Sequence, residues 1–386
     1  MKNLLFAFLA LLLSASVFSV PASAAGLQEG SDPCPTGAPI STNAECLPFG
    51  SYDVLHRKLE SGKFFFEDTL PATSPDASLA QLPFYYARVN IANAPIFASP
   101  NDAAAGKPVL KTLEAGLVYV TYTDVQEVNG KNYYMIDFGQ WMRRGDISPN
   151  QLYSNFMGLQ FTATPSKPFG WVLDAQLIGQ VQPRRAPSLS AALADRFLNQ
   201  YDGVQIYEKR EAEGLTWFEI GPDLWLESRQ VRLALLNTTP PDGVTNNRWI
   251  EVNLEQQTLS VHQDGQLVFA TLIASGLPGV WTRPGLFQIY ERHEETLMRG
   301  VFEADRSDYY YLEDVPWTMY FDESRALHGA YWRARFGFEQ SHGCVNLSVA
   351  DSHWLFNWAV DGDWVWVHDD SGRTPEDPSL YSAGGA

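Results

Sequence analysis

The chain has 386 residues, a formal net charge of −18, and a hydrophobic share of 45%. That much apolar material builds cores and excludes global disorder, and the length suits about two or three domains. The acidic balance excludes a nucleic-acid partner, whose grip needs a basic surface.

Residues 1–24 have the build of a secretory signal peptide. Lys2 supplies the charged start, Leu4 to Leu13 the apolar stretch, and Ala22-Ser23-Ala24 the cleavage site. The apolar run falls short of the roughly 20 residues that span a bilayer, and no other segment approaches that length. The mature chain is therefore expected to be exported, to the periplasm or the cell wall and extracellular face, with no stable membrane span. Export permits disulfides. Cys34 and Cys46 lie close together among turn formers, within a leader or linker over 25–82, and are expected to pair. Cys344 is left over, and an unpaired cysteine in an exported chain flags a reactive thiol.

From Phe84 onward the pattern changes to short alternating strands. Tyr119 to Tyr122, Tyr133 to Ile136 and Trp141-Met142 carry the β-formers, and Asn129-Gly130 signals a hairpin between the first two. The same pattern then returns. Gly130, Tyr133, Tyr134 and Ile136 are matched by Gly214, Trp217, Phe218 and Ile220, and Trp141-Met142 by Trp225-Leu226. Ile147 is matched by Val231, and Val120 and Tyr122 by Val204 and Ile206, every pair 84 residues apart. Two copies of a small β module, 84–150 and 165–235, explain that register. They resemble bacterial SH3-like barrels, which implies either cell-wall binding or a spacer role. Asn237 to Gly243 is a turn-rich linker.

The third segment, 247–369, opens with alternating strands through Ile250, Val252 and Leu254, then Leu259 and Val261. An Asp264-Gly265 hairpin follows. Thr282-Arg283-Pro284-Gly285 turns into a further strand. Ser348 with Asp351 is a capping pattern opening a short helix that stops near Gly362. Residues 370–386 read as a flexible tail.

Just before that helix stands Ser341-His342-Gly343-Cys344-Val345-Asn346, twelve residues beyond Gly329 of His328-Gly329. A cysteine nucleophile needs a base in hydrogen-bond reach, a group to orient the base, and donors for an oxyanion. His328 and His342 are the local bases. The N–H groups of His342, Gly343 and Cys344 are placed to converge on one oxygen, and nearby helix-start N–H groups would favour a thiolate. Zinc on Cys344, His328 and His342 would need a fourth ligand or a water, and no close Cys/His pair completes it. No metal is expected. His56, His262, His293 and His368 read as structural or solvated, and His353 as packing.

The string His328-x12-Ser341-His342-Gly343-Cys344-Val345-Asn346 resembles the signature of the L,D-transpeptidases with a YkuD-like catalytic domain. Thr282-Arg283-Pro284-Gly285 resembles that family's Thr-Pro-x-Gly turn, with Arg283 in place of Pro. Two other departures are a slightly short gap before Ser341 and Asn346 where many members carry Arg. The resemblance covers the third segment. It implies a mainly β chain, two small SH3-like barrels followed by a β-sandwich with a short helix after the nucleophile. It implies acyl transfer on peptidoglycan stem peptides through a thioester on Cys344, with His328 as base and the Gly329 carbonyl orienting it. His342 and Gly343 match the oxyanion and wall positions. Ser341 and Asn346 support the loop, while Tyr320 and Trp332 are pocket-lining guesses. No cofactor is implied. The acceptor is left open between a stem amine (a 3→3 cross-link), water (an L,D-carboxypeptidase) and a protein amine. A wall-binding protein with weak catalysis is the alternative of a different class.

Overall fold

The structure, a computed structural model, describes residues 70–381 except 83, 150–152 and 175–178. The signal segment, most of the leader and the expected Cys34–Cys46 pair lie outside the described residues. The rest is mainly β.

A short strand, β1 (Ala72–Thr73), comes first, followed by a 3-10 turn at Ala77–Ala80. Eight strands follow: β2 (Tyr85–Val89), β3 (Ala94–Ile96), β4 (Lys111–Leu113), β5 (Leu117–Tyr122), β6 (Asp124–Val128), β7 (Lys131–Asp137), β8 (Gln140–Arg143) and β9 (Ile147–Pro149). Helix α1 (Pro100–Ala105) sits between β3 and β4. It is capped by Ser99 and ended by Gly106 in the left-handed region.

After β10 (Leu159–Phe161) the series repeats as β11 (Phe169–Val172), β12 (Gln180–Val181), β13 (Leu198–Asn199), β14 (Gly203–Gln205), β15 (Glu208–Ala212), β16 (Leu215–Gly221), β17 (Leu224–Glu227) and β18 (Val231–Ala234). Strands β6, β7 and β8 have counterparts in β15, β16 and β17 of the same lengths, 84 residues on. The bulge between Met135 and Asp137 returns between Glu219 and Gly221. The turn Asn129-Gly130, with φ of 52° and 72°, returns as Glu213-Gly214 with 55° and 72°, the positive pair a two-residue hairpin needs. Each copy has one three-stranded meander and one sheet in which β2 or β11 is central. Among the described residues, no strand pairing closes either copy into a barrel.

The last strands are β19 (Arg248–Asn253), β20 (Thr258–Gln263), β21 (Gln266–Leu272), β22 (Gly285–Gln288), β23 (Glu291–Gly300), β24 (Tyr310–Asp322), β25 (Arg325–Gly329), β26 (Val345–Leu347) and β27 (Trp364–His368). Helix α2 (Val349–Trp358) lies between the final two. They form a sandwich. One sheet runs β1-β10-β21-β20-β19-β27-β22, and the other β26-β25-β24-β5-β2-β9 with β23 also on β24. Ile250, Val252, Leu259, Val261 and Phe269 from the first face Met319, Phe321, Leu327, Val345 and Leu347 from the second, with Leu355 of α2 closing the core. Alternate strand positions supply the inner faces, so burial of these side chains drives the layer packing.

Both sheets cross the boundaries expected from sequence. β10 and β1, from outside 247–369, extend the β21 edge. β5 of the first repeat pairs parallel with β24, Leu117 to Tyr119 beside Tyr310 to Leu312. Gly116 makes that approach feasible. Its φ is +151°, and a Cβ there would lie 2.1 Å from the Tyr309 carbonyl oxygen. Within the segment expected as a tail, 370–381 makes specific contacts. Asp369 accepts from the Thr374 N–H and hydroxyl, and the Tyr381 ring lies under the Arg325 guanidinium at 5.4 Å.

Candidate active site

His328 and Asn346 are register partners in the parallel pairing of β25 with β26. Cys344 immediately precedes β26 and accepts a hydrogen bond from the Ala326 N–H. The two motifs, distant in sequence, thus meet on adjacent strands. Trp332 sits 5.6 Å from the His328 ring.

The loop carrying Cys344 is pinned at several points. The Ser341 N–H donates to the Ser275 carbonyl at 2.9 Å, and the Ser341 hydroxyl donates to the Cys344 carbonyl at 2.5 Å. The Thr282 hydroxyl donates to the Gly343 carbonyl at 2.8 Å and accepts from the Gly276 N–H at 3.0 Å. This explains the Thr282 turn: it buttresses the nucleophile loop from the other sheet. Gly343 has φ +119°, a conformation that disfavours any side chain. Arg283, the departure from the family turn, ion-pairs with Asp322, which also takes Arg325 at 3.1 Å.

Two expectations about the site change. The Gly343 N–H donates to the Ser341 hydroxyl at 3.1 Å, so it does not join a three-donor oxyanion hole. The Cys344 sulfur is not poised as a thiolate. It donates to the Ser324 carbonyl at 3.7 Å, and burial pushes its pKa up to about 11, against the pull of the Ala326 N–H and the Arg325 charge. Helix α2 begins only at Val349, and Ser348 caps it by accepting from the Asp351 N–H. The desolvation cost of a buried anion therefore outweighs these donors. Cys344 is partly exposed and packs against an apolar cluster with Phe302, Tyr310, Tyr320 and Trp332.

His328 is buried, with its Nδ1 at 3.3 Å from the Gly329 carbonyl. A carbonyl only accepts, so Nδ1 carries the proton and Nε2 the lone pair. Burial holds its pKa down to about 4, opposed by the Gly329 bond and helped by the Arg333 charge. At neutral pH the pair is accordingly a neutral imidazole and a thiol. His342 is half-buried and sandwiched between Phe302 and Tyr310. Burial lowers its pKa too, with Asp308 opposing and Arg333 adding. Tyr320 and Tyr310 lie close enough to Cys344 for a negative sulfur to raise their own pKa values, after burial, the larger cause.

Sequence reasoning missed Phe302, Tyr310, Arg325 and Arg333. The first two sit near the β23–β24 turn, which no spacing ties to Cys344. Arg333 directly follows Trp332 and was legible only as a cation inside the gap between the two motifs. The other histidines are structural. His262 and His368 flank Glu251 at 3.1 and 3.0 Å, His293 meets Glu291, and His353 stacks on Trp317 at 3.8 Å. His56 lies outside the described residues. Among the described residues no group of three or more His, Cys, Asp or Glu is arranged to hold a metal ion, and no helix is long and apolar enough to cross a membrane.

Comparison with known proteins bears on the same stretch. Residues 247–367 match the family model described as YkuD, the L,D-transpeptidase catalytic domain. A curated relative, "Putative L,D-transpeptidase YciB" of Bacillus subtilis (strain 168), is 20% identical over 134 residues, which is 30% of this chain and 63% of that protein. The chain thus spans under two thirds of that relative's length. Among solved structures, the catalytic domain of an Enterococcus faecium L,D-transpeptidase is 28% identical, with 33% of this chain and all of that one covered and a TM-score of 0.29. An L,D-transpeptidase from Mycobacterium smegmatis is 16% identical, with 56% and 93% covered and a TM-score of 0.31. Residues 247–367 are a YkuD-type L,D-transpeptidase catalytic domain, and the chain therefore carries the catalytic unit of an enzyme.

Proposed function

We propose that this protein is an exported cysteine acyltransferase acting on peptidoglycan stem peptides. The observation that carries the reading is the parallel pairing of β25 with β26, which sets His328 opposite Asn346 and puts Cys344 just before the strand next to the histidine's, within a YkuD-type domain. The chemistry follows from the neutral pair. Nε2 of His328 takes the thiol proton as sulfur attacks the carbonyl before a terminal D-residue. The N–H groups of His342 and Cys344 serve the oxyanion. The C–N bond breaks, the D-amino acid leaves with the proton from His328, and a thioester remains. An amine of a second stem then attacks, its proton passes to Nε2, and the C–S bond breaks to restore the thiol. The product is a 3→3 cross-link. No cofactor is needed.

The two copies, offset by 84 residues, are read as SH3-like modules. The β5–β24 pairing favours a structural role for the first of them over free wall binding. The test is incubation of the mature protein with a disaccharide-tetrapeptide, followed by mass spectrometry. Dimers support the transpeptidase and tripeptides alone the L,D-carboxypeptidase, while attachment to an added protein amine supports the third acceptor. Full activity in Cys344→Ala would refute the nucleophile.

A further inference from the structure

Arg333 is half-buried, and desolvation holds its pKa down to about 10. Among the described residues it forms no ion pair with a carboxylate. Its guanidinium donates instead to the Gln340 carbonyl and the Gln340 Oε1, and to one more group, the side-chain amide of Asn346. The two possible orientations of that amide are not equivalent. With Oδ1 toward Arg333, it accepts from Arg333 Nε at 2.5 Å and Nη2 at 3.3 Å, and Nδ2 donates to His328 Nε2 at 3.0 Å. Reversed, donor would face donor at Arg333, and two acceptors would face each other at His328. An arginine does not give up its protons, so the first orientation is imposed.

The consequence reaches the base. Nδ1 of His328 already donates to Gly329. If Nε2 faced an acceptor as well, the ring would be held as an imidazolium with no lone pair. We propose that Arg333 is a positioning residue: by fixing the Asn346 carboxamide, it keeps His328 a neutral Nδ1–H imidazole whose lone pair lies on Nε2. In the reaction, Nε2 exchanges the Asn346 N–H for the Cys344 S–H. Asn346 returns to hold the ring between turnovers. The charged groups acting on the ring fit this role. Arg333 is the one whose field lowers its proton affinity. Cys344 precedes β26 beside it, Trp332 and Gly329 are neutral, and no carboxylate among the described residues hydrogen-bonds either nitrogen.

The catalytic consequence rests on the acyltransferase reading, but the tautomer does not, and that separates the two tests. The full-length protein would be labelled with 15N-histidine, and the His328 nitrogens followed by NMR across pH in wild type, Arg333→Met, Arg333→Lys and Asn346→Asp. In wild type and Arg333→Lys the ring is expected to stay in the Nδ1–H form near neutral pH. In Arg333→Met the amide is released to present Oδ1, and in Asn346→Asp a carboxylate faces Nε2. In both, the His328 pKa should rise and the protonated ring should appear near neutral pH. With stem-peptide substrate, kcat should then fall about a hundredfold, with little change in KM and recovery in Arg333→Lys. An unchanged His328 titration in Arg333→Met overturns the proposal. So does Arg333→Lys behaving like Arg333→Met. If Arg333→Met fails to fold through loss of its Gln340 contacts, Asn346→Asp decides, because it leaves those contacts in place. Inactivity of the wild type with normal His328 titrations would refute the substrate reading alone.

Discussion

Phe302 lies flat on His342, ring centroids 5.4 Å apart and planes 4° from parallel. The contact closes the tip of the β23–β24 hairpin over the nucleophile loop. The tip is itself braced, since Asp308 accepts from the N–H groups of Phe302 and Glu303 at 2.8 and 3.0 Å. Phe302→Ala should uncover the sulfur while leaving that brace in place. The stability loss should be about 1 kcal/mol, the scale of one aromatic pair. Alkylation of Cys344 by iodoacetamide should become several-fold faster. An unchanged rate would mean that Phe302 does not limit access to the sulfur.

Buried His328 and partly exposed Cys344, both neutral, make stability depend on pH from both sides. The folded pKa of His328 is about 4 against an ordinary 6.5. Its contribution is complete above 6.5 and is lost as pH falls through 4, because only the unfolded chain binds the proton in that window. Cys344 has the opposite sense. At about 11 against an ordinary 9, it contributes fully below 9 and loses that contribution as pH rises through 11. Urea midpoints should fall away on both flanks. His328→Gln should flatten the acid flank, leaving a remnant from His342, whose pKa is lowered in the same direction. Cys344→Ser should remove the thiol's share of the alkaline flank, leaving that of buried tyrosines such as Tyr310 and Tyr320, whose pKa values are raised in the same sense. Parallel curves for wild type and Cys344→Ser would show that the thiol contributes nothing to that flank.

Asp322 is buried and holds two arginines, Arg283 through Nε at 2.9 Å and Arg325 through Nη1 at 3.1 Å. It thereby ties the Thr282 turn to the strand leading to His328. Asp322→Asn removes the charge but little volume, and breaking a buried pair from one side costs about 3–5 kcal/mol. Arg283 is partly exposed, so Arg283→Gln should cost about 1 kcal/mol or less. Thermal melts of the two variants test the ranking, and a smaller loss in Asp322→Asn would contradict it.

Local chemistry was legible in the sequence, and long-range assembly was not. Asn129-Gly130 announces its hairpin because only a few residue types tolerate two positive φ angles. The second copy carries Glu213 instead, an unexpected residue at φ 55°. Its carboxylate repays that conformation by accepting from the Ser188 hydroxyl and the Leu189 N–H. Cys344 and His328 could be singled out because each stands in a compact motif, and those motifs lie on adjacent strands. Protonation was not, because the pKa of Cys344 depends on Tyr310, Tyr320 and Phe302 excluding water, and their spacing does not signal it. The β5–β24 pairing was equally hidden, since a strand's pattern shows its faces but not its edge partners.

That edge pairing bears on what can fold alone. The family match ends at 247–367, yet excising that region would bare the edge of β24 at Tyr310 to Leu312 and the edge of β21 at Phe269 and Ala270. It would also strip Tyr86 from its stack on Tyr331 at 3.7 Å, and Phe156, Phe161, Phe169 and Trp171 from Leu267, Leu272 and Phe336. Exposed apolar strand edges invite pairing between chains. A fragment of residues 247–386 should therefore aggregate or melt well below residues 70–386, by size-exclusion chromatography and circular dichroism. Gly116→Ala in the longer chain should reproduce part of the loss, about 1–3 kcal/mol, because the new methyl meets the Tyr309 carbonyl. A monomeric short fragment with the melting temperature of the longer chain would show that the borrowed strands are dispensable.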